Sequence, residues 1–490
     1  MFFCLFLALL QTAPGREHAV KGYGLLQAGD LKGAEVELRL ATESSPRDAA
    51  ALSLLGIVHG RQGRIAEANA DFEKALRIDP NDAVTRYHLA AGQFSLGRPE
   101  PAKANLERVL KARPGDREAA VLLGMVLENL GDCPGAERRF EAVPDLVRSR
   151  PQPAAALARC YYRTGRAARA RSVLEWLRAG GPEIVFSGAR LAASFGDFEA
   201  AEALLGSIAA THPSPAAVAY EIALVRYNAG RYPECSAGLV QLAQAGSRDP
   251  KVFNLLSWSY HRQNRFPEAL EAMRRAIELD PASEIHYNHL AQILVERRDY
   301  LGASEAASRA LALAPRSSAA YKVKGQAERG RGLLKQALDS YARAVELNPA
   351  DPEALLMLGV MRQILDQPAR AEEAFDKGIA LFPRDPRFYE AYGRMLHESG
   401  AQSRALELFE KALALDGALP GAHYHAGKIL LDDGKAAQAL PHLEAAAKLE
   451  PRGRKTRLAL AAAYRSLGRM DDYARELQAI RTLLGEDEPE

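Results

Sequence analysis

His286 and His289 stand three residues apart, and His423 and His425 two apart, spacings at which two imidazoles could serve one metal ion. On a helix the first pair shares a face, whereas side chains two apart diverge. Neither pair has a third ligand beside it, so neither reads as a metal site. Cys4, Cys133, Cys160 and Cys235 form no CxxC pair, and their wide spacing suits neither a zinc knuckle nor a disulfide framework. They read as small buried hydrophobes. No Walker loop, GxSxG or HExxH occurs, so the sequence predicts no catalytic residue, no metal and no cofactor. Basic and acidic side chains number 64 and 62, a net charge of +2. That balance offers no global field for nucleic acid.

Any chemistry the chain carries must therefore sit on a surface, and helices must position it. The residues are 48% hydrophobic, 26% charged and only 7% aromatic, with the Ala, Leu, Arg and Glu that favour helices. Laid out at intervals of 34, the chain repeats. Units begin at 15, 49, 83, 117 and 151, then at 182 after a unit three residues short, and continue in register from 216 to 454. These make fourteen units spanning 15 to 487. The eighth residue is small (Gly22, Gly56, Ala90, Gly359), as are the twentieth and twenty-seventh (Ala269 with Ala276, Ala337 with Ala344), so two helices can approach closely. A large twenty-fourth residue such as Phe72, Phe140 or Phe375 fills the space between them. The fifteenth is often Gly, where a turn needs positive φ. Pro at thirty-two ends the second helix. Asp or Ser at thirty-four, including Asp48, Asp249, Ser283 and Asp351, is placed to cap the next helix.

The stretches AALSLLGIVHGRQGRIAEANADFEKALRIDP and VFNLLSWSYHRQNRFPEALEAMRRAIELDP carry this pattern and resemble the tetratricopeptide repeat, over about 95% of the chain by the register above. The resemblance implies an all-α fold, a right-handed α-solenoid of tandem helix-turn-helix units. It also implies a groove lined by the second, fifth, ninth and twelfth residues of each first helix, and a protein or peptide as partner. Across fourteen units these positions hold eleven basic and five acidic residues, and from 250 onward eight and two. Lys251, Asn254, Trp258, His261, Asn288, Lys322, Gln326, Arg329, Arg394 and Lys428 are the candidate partner-binding residues. The expected ligand is an extended or helical segment of acidic character, held by a non-catalytic scaffold. The alternative is a substrate-presenting arm, or regulatory subunit, of a separate catalytic chain. Two specialised grooves of the family do not fit. No three units supply the Lys and Asn of a carboxylate clamp, and the sixth position, with Leu54, His88, Leu255, His289, Val323 and His425, has no Asn for an asparagine ladder. The groove columns are also too varied and too apolar for the polar code of an RNA-binding repeat.

Residues 1–14 open with an apolar run from Phe2 to Leu10, too short to span a membrane, which needs about 20 residues. Two readings fit it: a signal-peptide core directing export, or an apolar tail packed on the first repeat of a cytoplasmic protein. Units 1–5 occupy 15–181, units 6–7 the degenerate stretch 182–249, and units 8–14 residues 250–487, with an acidic end at 488–490. Pro144 interrupts the fourth unit, and Gly180, Gly181 and Pro182 shorten the fifth. Drift in a tolerant array and a bend between two straighter arms both account for that stretch. The acidic tail from Gly485 is expected to be disordered. The sequence leaves the oligomeric state open.

Overall fold

A computed structural model describes residues 15–485. The apolar leader at 1–14 and the acidic end beyond 485, with the export and disorder expected of them, lie outside these residues. The described chain is an all-α solenoid of 29 α-helices without a strand. Every repeat is a helix pair, and each first helix begins within a residue of the register read from the sequence, as in Pro250–Arg262, Glu284–Glu296, Ser318–Gly330 and Pro352–Ile364.

Close approach explains the pairing. A Cβ built on Gly56, Gly124 or Gly359 would lie 2.6 Å from a ring carbon of Phe72, Phe140 or Phe375 in the same unit. Wherever the twenty-fourth residue is aromatic, the eighth is Gly, as Gly325 with Tyr341 and Gly393 with Phe409 also show. Where it is Leu, Ala can stand at the eighth, as in Ala90 with Leu106 and Ala158 with Leu174, all four buried. The ring thus lies against the bare backbone of its partner helix, at the density expected of a protein interior.

The fifteenth residue has positive φ in all fourteen units. Gly supplies it in eleven. Asn264 (59°), Arg298 (61°) and Asp366 (55°) supply it in units 8, 9 and 11. Asn and Asp tolerate this region, but Arg298 carries strain there. The caps follow the expected column with one correction. Asp48, Asp82, Asp116, Asp249, Ser317, Asp351 and Asp385 accept from backbone N–H groups of the following turn, whereas the Ser283 side chain makes no cap bond. Asp30, Asp132, Asp197 and Asp299 add caps on second helices.

The chain divides between Ala245 and Gly246 into two compact blocks. In the first, a continuous core runs from Ala83 to Val225. Its fourth unit has a broken second helix, Cys133–Glu141 followed by Pro144–Ser149, because Pro144 brings no N–H to the helix. The fifth ends in a 3-10 turn, Leu177–Gly180, before Gly181 at φ 91°. Cys133, Cys160 and Cys235 are buried thiols outside any disulfide. Burial pushes the Cys160 thiol up, with Cys133 adding to it, so it stays neutral and packs as a hydrophobe. In the second block the largest core runs from Ala337 to Ile429 around Tyr341, Phe375, Phe388 and Phe409.

Candidate interaction face

All ten candidate partner-binding residues lie in the second block, on the first helices of units 8, 9, 10, 12 and 13. The spacings of three and four put them on one side of each helix. In Pro250–Arg262, Val252, Leu255, Leu256, Ser257 and Ser259 are buried while Lys251 is exposed and Asn254 and Trp258 are half-buried. The Ser257 hydroxyl donates to the Ala269 carbonyl at 2.7 Å, which satisfies the one polar group at that small position.

The face does not present all its cations to solvent. Lys322 Nζ lies 3.0 Å from Asp351 and 3.1 Å from Glu353 in the next unit. Burial by itself would lower the Lys322 ammonium, but the two carboxylates raise it, so it stays charged and neutralised in place. Gln326 donates to Glu353 at 2.7 Å. Lys428 pairs with Asp432 one turn on. Arg387, in the same columns, pairs with Asp385. Lys251, Arg329 and Arg394 have no carboxylate within ion-pair distance among the described residues; Lys251 and Arg329 are exposed and Arg394 is half-buried. The basic surplus counted along the columns is therefore partly met within the chain, by Asp351 and Glu353 for Lys322, Asp432 for Lys428 and Asp385 for Arg387.

His261 sits deeper than the other candidates. It is 7% exposed, and its Nε2 lies 2.8 Å from Glu296 in unit 9, so it braces two first helices rather than facing solvent. Gln363 and Glu398 repeat that brace between units 11 and 12 at 2.7 Å. The signal was in the sequence, as Glu at the thirteenth position of units 9 and 12. Trp258 stacks on His289, with ring centroids 3.4 Å apart and planes 9° apart. His289 is 1% exposed, and neither ring nitrogen has a hydrogen-bond partner. Burial, then His261 and His286, holds its imidazole well below the ordinary range, so the stacked ring is neutral. Asn288 is half-buried with its Oδ1 unpartnered.

The histidine spacings noted in the sequence do not converge. His286 meets the Asp280 carbonyl at 3.3 Å while His289 lies under Trp258. His423 Nδ1 is 3.1 Å from His442 Nδ1, and His425 stacks on Phe409. Among the described residues no cluster of three or more His, Cys, Asp or Glu could hold a metal, and no helix is long and apolar enough to cross a membrane. One residue of the face escaped a search for polar side chains. Ile285, second in unit 9, is 59% exposed. A shallow cavity of about 330 Å³ at the second helix of unit 4 sets Lys103, Arg138 and Arg139 against Glu107 and Asp132, a surplus of one positive charge that selects no particular ligand.

Comparison with known proteins agrees with this architecture. One profile described as "Tetratricopeptide repeat" matches residues 20–83, 186–234, 288–352, 365–422 and 424–486, which is more than half of the chain. Others with the same description match 61–126, 151–176 and 250–283. Among solved structures, the APC/C hetero-tetramer Cut9–Hcn1 is similar at 15% identity, over 93% of this chain and 98% of that one, with a TM-score of 0.44. Yeast Tom70 is similar at 19% identity, over 89% and 95%, with a TM-score of 0.41. YrrB, described as a TPR protein with an unusual peptide-binding site, is similar at 24% identity, over 38% and 95%, with a TM-score of 0.32. A comparison with curated proteins gives no match. With fourteen helix pairs in one register and profile matches along its length, the chain belongs to the tetratricopeptide repeat family.

Proposed function

We propose that the chain is a non-catalytic scaffold that holds a polypeptide segment of acidic character on the first-helix face of its second block. One observation carries the reading. On that face Lys251, Arg329 and Arg394 lack carboxylate partners, and a half-buried Trp258 shares the helix of Lys251, while the neighbouring positions of the same helices are packed into the core. Cations that fold into no ion pair contribute little to stability. They do raise the local potential and speed encounter with an opposite charge. The half-buried Trp258 supplies apolar contact area of the kind that dominates interface energetics.

The test is a titration of a partner captured from native cells against the full chain at low and high salt. Changing Lys251, Arg329 and Arg394 together to Gln should leave the helical spectrum and melting unchanged. It should weaken binding at low salt and flatten the salt dependence. Trp258→Ala should weaken binding at every salt concentration. A triple variant that binds as the unaltered protein does at low salt would place the partner on another surface.

A further inference from the structure

The distribution of partnered and unpartnered cations narrows what the face recognises, on the reading just given that this face is the docking surface. Lys322 and Lys428 are already answered by carboxylates of this chain. At the second, fifth, ninth and twelfth positions of units 8 to 10, the exposed cations without carboxylate partners among the described residues are Lys251, second in unit 8, and Arg329, twelfth in unit 10. Ile285 stands between them in the repeat order, 59% exposed at a position that holds Lys251 in unit 8, Ala319 in unit 10, Glu353 in unit 11 and Arg387 in unit 12. The cross-helix bonds of unit 10 fix its surroundings. Gln326, ninth, and Lys322, fifth, both reach Glu353, second in the next unit. By the same register Ile285 adjoins Asn254 and Trp258 of unit 8.

We propose that units 8 to 10 take an extended segment of a partner protein bearing one branched apolar side chain between two carboxylates, the apolar group covering Ile285 beside Trp258 and the carboxylates meeting Lys251 and Arg329. The repeat geometry sets the spacing. Second and twelfth positions are about 15 Å apart along a helix axis at about 1.5 Å per residue. Two steps between packed helices add about 20 Å across at roughly 10 Å each. The diagonal of about 25 Å corresponds to seven or eight residues of extended chain at about 3.3 Å each. Ile285 is level with Lys251 and one helix away, so the apolar residue falls about three residues from the carboxylate on Lys251 and about five from the one on Arg329. Charge and apolar contact then act together: the cations select the segment and steer it in, and the Ile285–Trp258 surface retains it.

The probes are fluorescein-labelled peptides of about a dozen residues in a Gly-Ser host. One carries Glu, Leu and Glu at the derived spacing, a second has Gln for both Glu, a third has Ser for Leu, and a fourth brings the two Glu within three residues of each other. Against the full chain, the first should bind at least about tenfold more tightly than each of the others, a difference of about 1.4 kcal/mol. Ile285→Ser should weaken it about fivefold or more at all salt concentrations. Lys251→Gln with Arg329→Gln should weaken it by a similar factor at low salt and by little at high salt. Arg309→Gln, an exposed cation on the second helix of unit 9 and off this face, should leave it unchanged. Equal binding of the first and fourth peptides, or an Arg309→Gln loss matching that of the Lys251–Arg329 pair, would overturn the spaced site. An absence of binding by the first peptide, with a captured partner still sensitive to the Lys251, Arg329 and Arg394 triple change, would also overturn the site and spare the broader reading. A captured partner insensitive to that triple change would remove the broader reading itself.

Discussion

Gly359→Ala sets two effects against each other. In a helix interior Ala is favoured over Gly by about 0.5–1 kcal/mol, because it loses less backbone entropy on folding. At Gly359 the added methyl would lie 2.6 Å from Phe375 Cε1 and 3.0 Å from Cδ1 and Cζ, and the ring is fully buried with nowhere to withdraw. Overpacking of this kind costs about 1–3 kcal/mol, so the net expectation is a loss of roughly 1–2 kcal/mol. Gly24 and Gly206, also within helices, would meet nothing within 4 Å. There the same substitution should stabilise by up to about 1 kcal/mol. The decisive variant is Gly359→Ala with Phe375→Leu, which recreates the buried Ala–Leu pairing of Ala90 with Leu106. In urea denaturation of the full chain, followed by circular dichroism, the double variant should lose less than the two single losses added, by about 1 kcal/mol or more. Additive losses, or a Gly359→Ala as stabilising as Gly24→Ala, would refute the claim that the ring dictates the glycine.

Three further outcomes follow from the same repeat. Ala310 is fully buried and Arg309 exposed, so Ala310→Arg should cost on the order of 1–3 kcal/mol or more and Arg309→Ala almost nothing, read from urea midpoints. Arg298 holds φ 61° where eleven units use Gly, so Arg298→Gly should raise stability by about 1 kcal/mol in the same assay, by relieving left-handed strain. Burial, then His397, Arg394 and Lys455, lowers the His425 imidazole from 6.5 to about 4, and His289 is lowered in the same direction. Between those limits the unfolded chain binds more protons than the folded one, so stability is full above about 6.5 and falls as pH drops toward about 4. Melting temperature measured between pH 7 and 5, where most carboxylates stay ionised, should therefore decline, and His425→Phe with His289→Phe should flatten the slope.

The helix pairs were legible because each recurring residue answers one steric demand: Gly or Ala under a twenty-fourth side chain, Pro past a helix end, Asp before a start. Arg298 shows the limit of that reading, since the turn imposes its backbone angle whether or not a glycine is present. The face was legible in placement and less so in charge. Periodicity put Lys251, Lys322, Arg329, Arg394 and Lys428 on one side of their helices. For Lys322 the carboxylates come from residues about thirty positions away, Asp351 and Glu353, which a count along single helices does not register, whereas Lys428 meets Asp432 on its own helix. His261 lies in the interior for a related reason: it packs against Trp258 and Phe266 of its own unit and His289 of the next, while its Nε2 reaches Glu296. Ile285 was overlooked because an apolar residue in a helix reads as core, and only its solvent exposure sets it apart.

The most direct test of the scaffold reading compares two faces of one block. A photo-crosslinking residue is placed at Asn254 on the first helix of unit 8, and in a second protein at Arg274 on its second helix, where the side chain is 68% exposed and paired only with Glu271. Both are irradiated in native cells, with and without Trp258→Ala. The account predicts discrete polypeptide adducts from position 254 that disappear with Trp258→Ala, and none of the same mass from position 274. Adducts of equal yield from both positions, or from 274 alone, would contradict it.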